Sequence, residues 1–188
     1  MDICNKCRTA RLNTSVLPEH TEDLGGITVT LRNAVLLHRC PECGEEMTEI
    51  PNSRMLYAAV ALKRVMVPFR LTAGDIRFLR AVFDMTQAQF ADAIGLENAQ
   101  TISRWENGAR PIGEHADRFI RYVIYALLHK AVPAADYDPN EILEMRVQEL
   151  ANGQPLPPLV FDRVIIKQDH RREEGWDALP GDALARAA

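Results

Sequence analysis

Past Cys43 the 188-residue chain contains no cysteine. Disulfides therefore cannot staple the bulk of the molecule, and its core must come from apolar burial. Hydrophobic residues make up 47% of the chain, enough for a domain of usual size plus a smaller one. Long apolar runs are also missing: the most apolar stretches, around Tyr57–Leu62 and Tyr122–Leu128, are short and flanked by charge. No basic N-terminal stretch leads into an apolar one, so the expectation is a soluble, cytoplasmic protein without a membrane partner. Catalytic signatures are absent as well. There is no phosphate-binding glycine loop, no His-Glu-x-x-His and no nucleophile elbow, so no catalytic residues and no enzymatic activity are expected.

The chain also lacks a basic excess. Its formal charge is −4, which argues against wholesale nucleic-acid binding, because strong non-specific binders displace counterions with a large positive surplus. The charge is uneven: residues 51–68 carry three Lys/Arg and no Asp/Glu, 69–130 carry eight against seven, and 131–188 carry six against eleven. Basic charge concentrates in the middle.

The four cysteines that are present form two Cys-x-x-Cys pairs, Cys4/Cys7 and Cys40/Cys43. In a reducing compartment two such pairs share a metal ion more readily than they form disulfides. Each turn points two thiolates to one side, and two turns supply the tetrahedral sulfur set that zinc prefers. Gly44, just after Cys43, suits a positive φ that turns backbone amides toward sulfur. With every position filled by protein the expected ion is structural Zn2+. A thioredoxin-like redox role lacks the βαβ context, and His20 and His38 read as surface or packed histidines.

Residues 1–50 read as a small zinc-bound β unit, with strands at Ile27–Leu31 and Ala34–His38 around an Arg32-Asn33 turn and a loop at Gly25-Gly26. Residues 51–68 read as a linker helix ending at Pro68. From Thr72 apolar residues recur at helical spacing through Leu127, giving four or five short helices, with Thr72, Thr86 and Asn98 as N-caps. Residues 69–132 thus form an all-α domain, and 133–188 an acidic C-terminal extension. The extension offers a helix at Pro139–Ala151 and a strand at Leu159–Ile166, and disorder is expected from Lys167 to the end. The fold class is multidomain and mainly α. Arg64, Arg77 and Arg80 read as solvated helix-face charges.

Within the helical domain, Gln87–Ile94, a turn at Gly95 and Ala99–Asn107 have the proportions of a helix-turn-helix. Ile102 and Trp105, three apart, face inward as core, leaving Gln100, Thr101, Ser103 and Arg104 outward. Such a helix can enter the major groove, where Gln pairs with adenine and Arg with guanine edges. Asn98, Gln100, Thr101 and Arg104 are the candidate base contacts; Gln87, Ser103, Asn107, Arg110 and Arg70 are the candidate phosphate contacts. The Phe119–Leu128 stripe is wider than one small domain needs, so it serves either as a buried helix or as a two-fold dimer interface.

The segment resembles the Xre/Cro-type helix-turn-helix family through Thr86-Gln87, Phe90-Ala91, Ile94-Gly95, the run from Thr101 to Gly108, and Pro111. It departs at one point: six residues separate Gly95 from Ile102 where the commoner pattern has five, so the turn must bulge around Leu96-Glu97. Together with Cys4/Cys7 and Cys40-Pro41-Glu42-Cys43-Gly44, residues 1–112 resemble the MqsA/YgiT-type antitoxin family. That resemblance implies an N-terminal zinc domain that binds a protein toxin, often an mRNA-cleaving ribonuclease, and a helix-turn-helix homodimer that represses its own operon on double-stranded operator DNA. The chain runs about 58 residues past Lys130, beyond that pattern, which leaves open a second reading: a free-standing regulator that senses a ligand or protein through its extension.

Overall fold

The computed structural model describes residues 3–129, 132, 138, 140–150, 156, 158–168 and 171–178. Strands β1 (Asn13–Val16), β2 (Glu19–Asp23), β3 (Thr28–Arg32), β4 (Leu36–Arg39) and β5 (Glu46–Glu49) precede the helices. They do not pair as expected around Arg32-Asn33. The hairpin turn lies at Gly25-Gly26, where the Asp23 carboxylate accepts from both glycine amides at 2.7 and 2.9 Å. Its arms run the full length of β1–β2 and β3–β4, with Glu19 opposite Arg32 but Val16 opposite Leu36. The register slips by one residue between these pairs, a bulge that bends the hairpin. Pro18, which has no amide to donate, sits at the bend, and Asn33, at φ 48°, donates its amide to the Pro18 carbonyl at 3.0 Å. The bend throws the two halves into different sheets.

One sheet, ordered β1-β4-β5, adjoins the cysteines. The other is completed by β6 (Leu159–Gln168) and β7 (Arg171–Ala178), in the order β2-β3-β6-β7. β6 lies parallel to β3, with Leu31 opposite Phe161 and Arg32 opposite Asp162, and the Arg32 guanidinium donates to both Asp162 carboxylate oxygens, at 3.1 and 2.9 Å. Val29, Leu31, Leu159 and Phe161 face inward. The strand expected at Leu159–Ile166 is thus β6. The disorder expected from Lys167 is overturned for 171–178, where β7 pairs with β6 and buries Trp176, whose indole donates to the Asn52 carbonyl at 3.3 Å. Residues 179–188 lie outside the described residues.

Helix α1 (Ser53–Met66) is more than a linker. Leu56, Ala58, Ala59, Val60, Ala61, Leu62, Arg64 and Val65 are all buried, and a helix buried nearly all round belongs to a core. One continuous cluster of apolar side chains runs from Leu24 through α1 to Ile124 and Trp176. α1 packs on α2 (Ala73–Val82), α5 (Glu114–Leu128), α6 (Asn140–Glu144), β6 and β7. The helix expected at Pro139–Ala151 shortens to α6. Among the described residues six helices stand beside seven strands, so "mainly α" fits only the middle of the chain, and none of the helices is long and apolar enough to cross a membrane.

Arg64 corrects the expectation of a solvated charge: it is 1% exposed. Its guanidinium holds both oxygens of buried Asp75 at 2.8 Å and the carbonyls of Phe69 and Arg70 at 3.1 and 3.0 Å. Arg121 does the same from α5. It pairs with buried Asp117 and donates to the carbonyls of Val65, Val67 and Phe69 at 2.6–2.7 Å. Arg121 thus serves carbonyls at the end of α1, and both guanidiniums serve those of the segment that follows Pro68, fixing the joint between α1 and α2.

Candidate nucleic-acid interface and metal centre

α3 (Gln87–Ala93) and α4 (Gln100–Glu106) carry the candidate reading surface. Thr72 and Thr86 begin α2 and α3 with complete capping boxes, partnered by Asp75 and Gln89, each satisfying otherwise orphaned amides. Both α3 and α4 end in the same way. Leu96 N donates to Ala91 O at 2.8 Å with Gly95 at φ 67°, and Ala109 N donates to Arg104 O at 2.9 Å with Gly108 at φ 69°. These are Schellman closures, and a side chain at either glycine meets no atom but strains the left-handed backbone. Glu97–Ala99 connect this closure to α4. There Asn98 does not occupy the N-cap position, which is Ala99; its Oδ1 accepts from Gln100 N at 3.0 Å and so steadies the first turn of α4 from one residue earlier.

Ile102 and Trp105 are buried as expected. Gln100, Arg104, Asn107 and Arg110 are exposed, and Thr101 and Ser103 half-buried. Gln100 Oε1 lies 3.5 Å from the Arg104 guanidinium, and Ser103 Oγ lies 3.5 Å from Asn107 Nδ2, so two polar pairs line one side of α4. This side can present an amide and a guanidinium to purine edges. Replacing Arg104 with Ala is expected to cost about 1–3 kcal/mol in specific DNA affinity and to relax one base position. Titration of the variant against a set of single-base-pair substitutions in the bound duplex checks this.

The remaining candidates are held by the protein itself. Gln87 is half-buried, and its Nε2 donates to Glu106 Oε2 at 2.7 Å. Arg70 Nη1 donates to the Ile112 carbonyl at 2.9 Å while Nε lies 2.7 Å from Glu149. Glu106 itself, 4% exposed, was not singled out by motif. It accepts from Arg80 at 2.7 Å and from Gln87, so Arg80 is structural rather than solvated; Arg77 stays exposed as expected and donates once, to the Glu106 carbonyl at 3.1 Å. The signal was available: Glu106 lies four residues after Ile102, on the inward stripe, where a carboxylate needs partners. Glu106→Ala is expected to lower stability by about 2–3 kcal/mol, toward the low end for breaking a buried pair because Arg80 keeps some solvent; thermal melting reads it.

The four cysteines do converge. Their sulfurs all lie within 4.8 Å of one another, with Cys4–Cys43 and Cys7–Cys40 separations of 3.6 Å. A tetrahedron of metal–sulfur bonds of about 2.3 Å has edges of about 3.8 Å, so the spacing fits one ion. The two turns are built alike. The residue after each second cysteine is left-handed, Arg8 at φ 58° and Gly44 at φ 71°, and its amide donates to the first cysteine's carbonyl at 3.0 and 3.1 Å. The sequence displays this only at Gly44. The Thr9 hydroxyl, 3.2 Å from the Cys7 sulfur, and the Thr9 amide bring the Cys7 thiol from 9.0 down to about 6, toward the thiolate a metal requires. His38 is not a ligand. Its ring sits between Thr14 Oγ1 and Glu49 Oε2 at 2.8 and 2.9 Å, a packed histidine as expected.

Residues 76–118 match the helix-turn-helix family model, a span that opens within α2 and closes within α5. It takes in the whole α3–turn–α4 unit and supports a DNA-binding regulatory domain. No curated protein and no solved structure matches the chain.

Proposed function

We propose that the chain is a sequence-specific transcriptional repressor, not an enzyme, and the antitoxin of a toxin-antitoxin pair, binding operator DNA through α4 and a protein toxin elsewhere. The observation that carries this is the joining, in one chain, of a helix-turn-helix to a four-cysteine cluster spaced for a single ion. The ion is Zn2+, since four thiolates in a closed set suit it and leave no open position for substrate. Its role is structural.

A homodimer suits this function, because two half-sites one helical turn apart call for a two-fold pair of reading helices. Phe119, Tyr122 and Leu127 on α5 are about half exposed, as is Leu143 on α6. Phe119, Tyr122 and Leu143 line a groove of about 460 Å³ together with His115 and Arg118, a patch that supports self-association.

Co-expression with the neighbouring genes followed by affinity purification tests the toxin reading. Co-purification of a neighbour's product, with relief of its toxicity, is the expected result. Absence of any neutralised partner favours the second reading, a free-standing regulator. One feature speaks for that alternative: β6 of the extension occupies the edge of β3, so the N-terminal sheet gains its added strand from within the chain.

A further inference from the structure

The extension does not simply hang from the helical domain. Gln148 adds a parallel β-bridge to Phe69, its amide donating to the Pro68 carbonyl at 2.8 Å and its carbonyl accepting from Arg70 N at 2.9 Å. This docking delivers the next residue, Glu149, to the Arg70 side chain. Both line a pocket of about 290 Å³ with Thr72, Gly108, Arg110 and Pro111, between the start of α2 and the loop that follows α4.

Three features of the pocket point to a phosphate. Arg70 is fixed independently of Glu149, because Nη1 is held by the Ile112 carbonyl. Arg110, exposed, lines the same pocket directly after the closure of α4, where DNA-backbone contacts follow a recognition helix. The Glu149 contact is also of the kind a stronger anion displaces. Nε and Oε1 are 2.7 Å apart but lack hydrogen-bond alignment, and the Glu149 side chain is 70% exposed. An ion pair without hydrogen-bond alignment whose carboxylate is this exposed is worth little, whereas a phosphate offers Arg bidentate contacts and releases counterions.

We propose that this pocket takes a phosphate of the DNA backbone and that Glu149 occupies it in the free protein as a built-in mimic, so that the acidic extension restrains operator binding. The inference rests on the DNA-binding reading. In the bound state Glu149 leaves, Arg70 and Arg110 flank the phosphate, and the backbone bridge at Gln148 stays in place.

The test uses the full-length chain and a duplex selected by it from a randomised library, titrated across about 50–200 mM salt, a range over which phosphate contacts dominate the affinity change. Glu149→Gln is expected to bind about threefold to tenfold tighter at the low-salt end, with the log–log salt slope steeper by about 0.9, one added phosphate contact. Arg70→Ala in the Glu149→Gln background is expected to abolish both gains, which simple loss of negative charge would leave intact. Unchanged or weaker binding by Glu149→Gln, or gains that survive Arg70→Ala, overturns the proposal. Arg104→Ala keeps the two readings apart. If wild type selects a duplex and Arg104→Ala loses that preference, the DNA reading stands and the Glu149 result alone decides; if wild type shows no preference, both fall.

Discussion

Removing the metal, by chelation or by Cys40→Ser, is expected to unfold the β1–β4–β5 sheet and to leave the rest of the molecule standing. The free energy of a structural Zn2+ bound to thiolates is about 10–16 kcal/mol, more than most domains have in total stability. The sheet beside the cysteines has little else to hold it. β1 is exposed along its length, and β5 buries none of its residues fully. The cross-turn pair Lys6–Glu45, 2.8 Å apart, is open to solvent and contributes little. The neighbouring sheet is different, for Val29, Leu31, Phe161 and Trp176 pack into the cluster around α1. Hydrogen exchange followed by mass spectrometry reads the outcome. Amides in 11–16 and 36–49 should lose protection on chelation, while those in 56–65 and 100–106 keep it, and the duplex should still be bound. Loss of protection in α4 along with the cysteine-side sheet would show that the metal supports the whole core.

The second large effect is expected at Arg121. Replacing it with Met keeps the apolar stem but leaves Asp117 buried without its cationic partner and takes a donor from the carbonyls of Val65, Val67 and Phe69 in and after the last turn of α1. Stripping one member from a buried pair costs about 3–5 kcal/mol, a drop of roughly 6–20 °C in melting temperature for a chain of this size. Because Arg121 clamps the joint between α1 and α2, the sheet and helical signals should fall together in one transition. Arg118→Ala, on the same helix, removes only a partly exposed pair with Glu114 at 3.3 Å and is expected to stay within about 0.5 kcal/mol of wild type. Equal melting of the two variants would remove Arg121 from its role as a clamp.

What could be read from the residues alone was local in origin. The caps at Thr72 and Thr86, the turn at Gly95 and the inward Ile102–Trp105 pair each depend on contacts within a turn or two, and each was visible in the sequence. The cysteine cluster spans 39 positions but was legible because its chemistry allows few alternatives. What was lost was long-range. Nothing in the β3 residues says that the edge beside Leu31 is taken by Phe161, more than a hundred positions later, and nothing near Trp176 says that its indole finds the Asn52 carbonyl. Arg64 and Arg121 were hidden for the same reason. A buried guanidinium looks like a surface one until the carboxylate and carbonyls that satisfy it are brought together by the fold. At the reading surface, Gln87 and Arg70 had the right chemistry for phosphate, but the partners that hold them, Glu106 and Glu149, come from other elements.

The most direct test of the central claim, that the outer side of α4 lies against base edges in the major groove, is methylation protection of guanine N7 in the duplex that the full-length chain selects. Arg104 is expected to shield a guanine there, and Arg104→Ala at saturating concentration should restore reactivity at that base alone. A chain that selects no sequence, or whose protection pattern is the same with and without the Arg104 side chain, would contradict the account.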